Sequence, residues 1–264
     1  MIRGLRAVGS SALGLLADTG GLFRLALQAV TTALIGPFRG ERVRIRPAVV
    51  QCLRAGYGSA PLVMMISFLV GIIMALQSAY QLRQLGALDL VGSLVAISVT
   101  RELAPLLTAI IVAGRIGSSI AAELGTMTVS RELDALVVMG IDPIGFLVVP
   151  RLAALLVSMP CLVIFADIVG ILGGMAIATL GLGMSGPAYL ESTREALVLQ
   201  DVYTGLVKAV AFAGIIGLIG CHQGLGTTGG AEEVGRSTTT SVVRSIVLVI
   251  VADLFVTALF YVRG

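Results

Sequence analysis

The sequence predicts an all-α integral membrane protein: an amino-terminal interfacial helix, then five transmembrane helices with a short cytoplasmic helix between the second and third. Three observations predict it. Of 264 residues, 57% are hydrophobic and only 12% are charged, whereas about a quarter of an ordinary soluble sequence is charged. The mean hydropathy is +1.02, which suits a bilayer as solvent. Apolar runs also recur at or beyond the roughly 20 residues that a helix needs to cross, and Ala55 to Leu82 holds no charge at all.

The chain divides into an interfacial elbow, residues 1–59, and a five-helix membrane region, residues 60–264. In the elbow, Leu13, Leu16, Phe23, Leu27, Val30 and Leu34 recur at helical spacing and predict an amphipathic helix lying in the membrane surface. The start does not read as a cleavable signal, because Asp18, Arg24 and several glycines interrupt its apolar run. Gly36-Pro37 ends that helix, and a second short helix, Ala48 to Gly58, leads into the first span. Eight arginines but only two acids, Asp18 and Glu41, precede Pro61, which favours keeping this end on the cytoplasmic side.

The spans are expected at about Ala60 to Leu82, Val91 to Ala113, Ile144 to Ala178, Val202 to Cys221 and Val242 to Val262. The third exceeds a simple crossing, so it is expected to be tilted, broken or partly outside the hydrocarbon. With the amino end inside, five spans place the carboxyl end outside. The inner loops then carry Arg115, Arg131, Arg151, Arg236 and Arg244, against Arg83 and Arg194 outside, in keeping with the positive-inside tendency.

Several possible chemistries find no support. Lys208 is the one lysine, and no P-loop surrounds it, so any ATP must be held by another polypeptide. Gly224 to Gly229 spells G-x-G-x-x-G but follows a membrane helix rather than a strand, and reads as a flexible inner loop. His222 is the one histidine, and Cys52, Cys161 and Cys221 lie far apart; they read as small hydrophobes, with neither a metal site nor a disulfide framework. No nucleophile elbow occurs. Catalytic residues and metal ligands are therefore not expected.

Intramembrane charge is the positive signal. Arg101, Glu102, Asp167, Lys208 and Asp253 lie away from the span ends, each at a cost of about 2.5–3.5 kcal/mol on insertion scales. Adjacent Arg101 and Glu102 point about 100° apart on an α-helix, so at least one pairs across helices, with Lys208 matching Glu102 or Asp253. Arg101, Glu102, Lys208 and Asp253 then outline a polar cavity in the middle to outer half of the membrane, in which Arg101 attracts an anionic head group. The alternative role is ion pairing that only fixes the bundle. Asp167 stands apart, beside the packing glycines Gly170, Gly173 and Gly174.

The stretch from Ser130 to Gly140 reads SRELDALVVMG. Ser130 is expected to cap a short helix with Glu132 and Asp134 near its positive end. Leu133, Leu136, Val137 and Met139 offer an apolar surface, and Gly140 with Asp142-Pro143 stops the helix. Such a helix between two spans suits docking in a groove of a cytoplasmic partner.

At this point RELAPLLTAIIVAGRIGSSIAAELGTM, then RELDALVVMGIDPIGFLVVPR, ADIVGILGG, LVKAVAF and VADLFVTALF resemble the permease family of Mla-type, MCE-associated lipid ABC transporters, called MlaE or YrbE. The resemblance covers roughly residues 45–262. It implies a homodimer of permeases in a bacterial inner membrane, two cytoplasmic ABC ATPase subunits that bind ATP and Mg, and a ring of MCE-domain lipid-binding proteins on the periplasmic side. The implied substrate is phospholipid moved between inner and outer membranes. Nucleic acid has no part. The implied coupling helix is Ser130 to Gly140, with Arg131, Glu132, Asp134, Leu136, Met139 and Gly140 facing the ATPase. The competing expectations are an ATP-independent lipid carrier and a membrane scaffold for lipid-binding proteins.

Overall fold

The computed structural model describes residues 19–33 and 45–263. Leu13, Leu16, Leu34, Gly36-Pro37 and the basic stretch up to Arg44 lie outside them. We number the helices α1 (19–33), α2 (Ile45–Gln84), α3 (Leu88–Val129), α4 (Glu132–Val138), α5 (Ile144–Gly181), α6 (Gly186–Ala196), α7 (Leu199–Leu225) and α8 (Ala231–Arg263). Five of them, α2, α3, α5, α7 and α8, contain stretches long and apolar enough to span a membrane. The described part of the chain is a multi-pass, all-α membrane protein.

The helices run longer than the expected spans. α2 absorbs the expected elbow helix and passes through Pro61 without ending; an apolar helix among neighbours tolerates the missing N–H. α3 runs on past Ala113, where the second span was expected to end, through the small residues Gly114 to Gly125, and reaches Val129. Small residues there do not break the helix, because they are packed against: a Cβ on Gly117 would meet Ile216, and one on Gly125 would meet Thr227. α5 is likewise unbroken over 38 residues.

Two apolar clusters are stacked along the bundle. One joins Leu25 and Ala29 of α1 to Val112 and Leu124 of α3, Leu155 of α5 and Phe212 and Ile216 of α7. The other joins Val63 and Ala75 of α2, Val95 and Val99 of α3, Ala166 of α5 and Tyr189 of α6. α1 buries Leu25 and Ala29 while Phe23, Leu27 and Val30 stay exposed on its other face, as befits a helix lying in an interface. Contacts near Gly21 with His222, and of Thr32 near Gly145, set α1 at the α4 end of the bundle.

At the opposite end α6 closes the structure. Ser185 accepts from the amide of Ala188 at 3.3 Å and starts the helix. Ser192 donates to the Asp89 carbonyl at 2.7 Å, and its hydroxyl lies 2.8 Å from that of Ser93. The Tyr189 hydroxyl donates to the Ile171 carbonyl at 3.3 Å, and burial pushes this phenol up to about 12.

The turn expected to be a flexible loop at Gly224 to Gly229 is pinned instead. Thr227 is buried, and its hydroxyl bonds the Gln223 carbonyl at 3.0 Å and Ser237 at 2.9 Å. Thr128 of α3 donates to the Gly224 carbonyl at 3.2 Å.

α2 and α5 touch backbone to backbone. A Cβ on Gly71 would sit 1.9 Å from the Gly170 carbonyl oxygen, and one on Gly173 would sit 2.2 Å from that of Phe68. Small residues permit this approach, which lipid-embedded helices use in place of a hydrophobic driving force. Gly214 on α7, by contrast, faces open space. Gly71→Val is expected to destabilise the detergent-purified protein by about 1–3 kcal/mol or more as an overpacked site, while Gly214→Val leaves its thermal midpoint unchanged. Equal midpoints for the two variants would contradict this packing.

Candidate functional site

Two π turns interrupt α3, at Val99–Leu103 and Ala113–Gly117. Such turns take up an extra residue and re-aim the side chains around them. The first carries Arg101 and Glu102. Beside it α7 comes very close, since a Cβ on Gly205 would sit 2.6 Å from the Thr100 carbonyl oxygen. One turn further along α7 lies Lys208, on the same face as Gly205.

Lys208 is fully buried. Its Nζ donates to Glu102 Oε2 at 2.5 Å and lies 2.8 Å from Asp253 Oδ1 on α8. Thr257, one turn beyond Asp253, donates to Glu102 Oε1 at 3.1 Å. Arg101 Nε donates to Asp201 Oδ1 at the start of α7. Asp201 is itself buried and accepts from the amide of Val198 at 3.1 Å through its other oxygen.

The structure thus brings Arg101, Glu102, Lys208 and Asp253 to one level, where the two apolar clusters meet. Arg101 and Glu102 diverge but both reach α7, because Asp201 and Lys208 are two turns apart on one side of it. Sequence reasoning did not single out Asp201 or Thr257. Asp201 stands at the very start of a span, where a carboxylate reads as an ordinary helix-end residue, and a threonine in an apolar run carries no signal of its own. Asp167 does not join the group; its Oδ1 is buried without a hydrogen-bond partner among the described residues.

The cluster lies on the flank of the bundle rather than in its centre. The side chain of Arg101 is 49% exposed and that of Glu102 is 39% exposed. α8, which contributes Asp253, is the least covered of the five spanning helices, with 11% of its apolar window buried. Arg101 and Glu102 therefore border an uncovered face within the membrane-spanning part of the chain, with Lys208 and Asp201 buried behind them. The groups it leaves exposed are the Arg101 guanidinium and the Glu102 carboxylate, each already paired with a residue of α7.

The second feature is α4. Ser130 does not cap it. The residue before the helix is Arg131, held at φ 58, a left-handed conformation that costs a non-glycine residue roughly 1–2 kcal/mol. The Ser130 amide instead closes α3 by donating to the Thr126 carbonyl at 2.9 Å, and its hydroxyl donates to Glu132 at 2.9 Å. Two carbonyl acceptors end α4: Gly140 N–H donates to Val137 and Ile141 N–H to Leu136, both at 2.9 Å, with Gly140 at φ 72. That is a Schellman stop. Asp142 then takes the Ile144 and Gly145 amides at 3.2 and 2.9 Å and opens α5.

Leu133 and Leu136 are half-buried against the cluster beneath, so Leu136 seats α4 rather than pointing outward. Arg131, Glu132, Asp134, Val137, Val138, Met139 and Gly140 are exposed. The result is a short helix braced on the bundle with a bare apolar edge rimmed by charge.

Against known proteins, a family model described as Permease MlaE matches residues 48–259. A protein of Rickettsia typhi named as a probable ABC transporter permease is 43% identical over 211 residues, covering 80% of this chain and 82% of that one. Its counterpart in Rickettsia prowazekii is 40% identical over 245 residues, 93% of each chain. The Arabidopsis thaliana protein named trigalactosyldiacylglycerol 1, chloroplastic, is 37% identical over 223 residues, covering 84% of this chain and 63% of that one.

Removing one partner of a buried ion cluster strands the others, at about 3–5 kcal/mol. Lys208→Met is therefore expected to lower the stability of the purified protein by that amount. The triple variant Glu102→Gln, Lys208→Met, Asp253→Asn should recover most of the loss. Denaturation in detergent measures both; a triple variant weaker than Lys208→Met alone would contradict the assignment.

Proposed function

Because the chain belongs to the MlaE permease family, and is thus an ABC transporter permease, we propose that it carries phospholipid through the membrane as one of two identical subunits driven by a separate ATPase. The observation that carries this reading is the polar cluster left uncovered at mid-span. Charge facing hydrocarbon is costly, and a second copy meeting the α8 face would enclose it. The enclosed space would have guanidinium and carboxylate groups at one level and aliphatic walls elsewhere, which suits a head group with its acyl chains. The name of the Arabidopsis relative, that of a glycerolipid, agrees with a lipid substrate.

The ATPase docks on α4. Its exposed Val137, Val138 and Met139, rimmed by Arg131, Glu132 and Asp134, fit a groove that takes a short amphipathic helix. ATP and Mg are held by that partner. α3 ends at the turn into α4 and is helical back to Arg101 and Glu102, so a push on α4 is delivered along one rod to the cluster. Closure of the ATPases draws the paired α4 helices together and changes how well the lipid fits between the subunits. The α4 end is cytoplasmic, the amino end lies with it, and the carboxyl end is periplasmic in a bacterial inner membrane. There an MCE-domain ring exchanges lipid with the permease.

Two experiments test this. Val138→Asp with Met139→Asp should strip the ATPase from the purified complex and abolish ATP-dependent lipid movement in vesicles, without changing the thermal midpoint of the permease. Retained ATPase and coupled hydrolysis would overturn the docking assignment. Arg101→Ala should lower the phospholipid recovered with the purified complex, as read by lipid mass spectrometry; undiminished recovery with undiminished transport would remove Arg101 from the lipid path.

A further inference from the structure

A second polar site lies toward the α4 end, apart from the mid-span cluster. There α2, α3 and α5 line a half-open pocket of about 150 Å³ whose polar lining is Gln51, Arg54, Arg115, Ser119, Glu123 and Arg151. Three guanidinium groups meet one carboxylate. That carboxylate is already engaged: Glu123 Oε2 accepts from Arg151 Nη2 at 3.0 Å, and Oε1 accepts from Ser119 at 3.3 Å. Arg54 and Arg115 enter no ion pair among the described residues. The pocket therefore holds two positive charges in excess.

Arg54, Arg115, Ser119 and Glu123 stand at its exposed rim, and Arg151 forms its buried floor. The side chain of Arg151 is 8% exposed. Its Nη1 is spent on the Leu147 carbonyl at 2.9 Å, while its Nε is buried with no acceptor. Gln51 Oε1 is likewise buried without a donor, and an amide flip would present its NH2 group there instead; Gln51 and Arg151 both line the pocket. Arg115 belongs to the second π turn of α3, and its guanidinium lies over the bare backbone of α2, 3.1 Å from where a Cβ on Gly58 would stand. An unfilled buried donor costs roughly 1–3 kcal/mol, so the pocket favours an acceptor that brings negative charge.

Size and depth narrow the ligand. Guanidinium groups match phosphate oxygens in pairs. The volume is below the roughly 300–1,000 Å³ of a site that swallows a whole drug-sized molecule, so it fits a head group and leaves acyl chains outside. Arg115 lies about 21 Å along α3 from Arg101, about two-thirds of a hydrocarbon core of roughly 30 Å. With Arg101 inside the core, Arg115 falls at its boundary, at the level of phosphates. Basic pockets between helices at that level recognise anionic head groups. Exposed Leu53 and Tyr57 on α2 give acyl chains a surface to follow.

We propose that this pocket binds the phosphate of an anionic phospholipid from the leaflet on the α4 side, held by Arg54, Arg115 and Arg151. This lipid is a resident that ties α2 and α5 to α3, separate from any lipid at the mid-span cluster.

Native mass spectrometry of the full-length protein tests it, with dioleoyl phosphatidylglycerol, dioleoyl phosphatidylcholine or inorganic phosphate supplied in turn. The unaltered protein should retain phosphatidylglycerol over phosphatidylcholine. Arg54→Gln with Arg115→Gln should cut that preference about tenfold or more, the worth of one charge-assisted hydrogen bond. Ser119→Asp, which keeps every arginine and adds a carboxylate at an exposed position, should do the same if the double variant folds poorly. Arg101→Ala should lower the total phospholipid retained, while the lipid that stays bound keeps its preference for phosphatidylglycerol. Competition by inorganic phosphate at equal concentration would keep the phosphate chemistry but assign it to a soluble ion. A preference that survives both pocket variants, or that vanishes only with Arg101→Ala, overturns the proposal and leaves the mid-span reading standing.

Discussion

Lys208 sets the constraint on which this bundle depends. An ammonium group with no exposed surface, in a helix apolar enough to span a membrane, must find compensation within reach or not be buried at all. Glu102 from α3 and Asp253 from α8 supply it. Three helices distant in sequence are thereby fixed at one height and one rotation. Packing alone would not do this, since aliphatic side chains in lipid gain little by choosing each other over the surrounding acyl chains. The close approach at Gly205 and the π turn opposite it are the local adjustments that let the ammonium reach both carboxylates.

The same three helices connect the two polar features of the molecule. α3 carries Glu102 about a third of the way along and runs on into α4. α7 carries Lys208 and closes, through Gly224 and Thr128, on the last turns of α3. The distribution of charge along α3 is thus ordered: a paired arginine and glutamate at the seam of the two apolar clusters, a second arginine at the next π turn, and Glu123 bonded to Arg151 beyond it. Each π turn of α3 holds one of the two arginines of that helix.

Much of this was legible in the sequence because the membrane amplifies the signal. Five apolar stretches and a handful of charges inside them are hard to read otherwise, and the scarcity of partners for Lys208 already pointed to Glu102 or Asp253. Helix ends were less legible. The second span was expected to end at Ala113, before the small residues from Gly114 to Gly125, yet Gly117 and Gly125 are where α7 and the turn before α8 press against a continuing helix. Ser130 resembles a cap, but α3 consumes its amide and Arg131 takes the entry position at φ 58. Leu136 looks like part of an outward surface until the bundle beneath α4 is present to receive it. Asp201 and Thr257 acquire meaning only through partners 100 and 155 residues away, which no local pattern encodes.

The contact between Gly71, Gly170 and Gly173 has a mechanical corollary. Where two helices meet through interdigitated side chains, one can slip past the other as rotamers exchange. At these glycines no such cushion exists: carbonyl oxygens rest directly on the facing main chain. α2 and α5 must consequently move as a single plank. Whatever reshaping this molecule undergoes has to come from the remaining helices swinging against that plank, which serves as the stator of the machine.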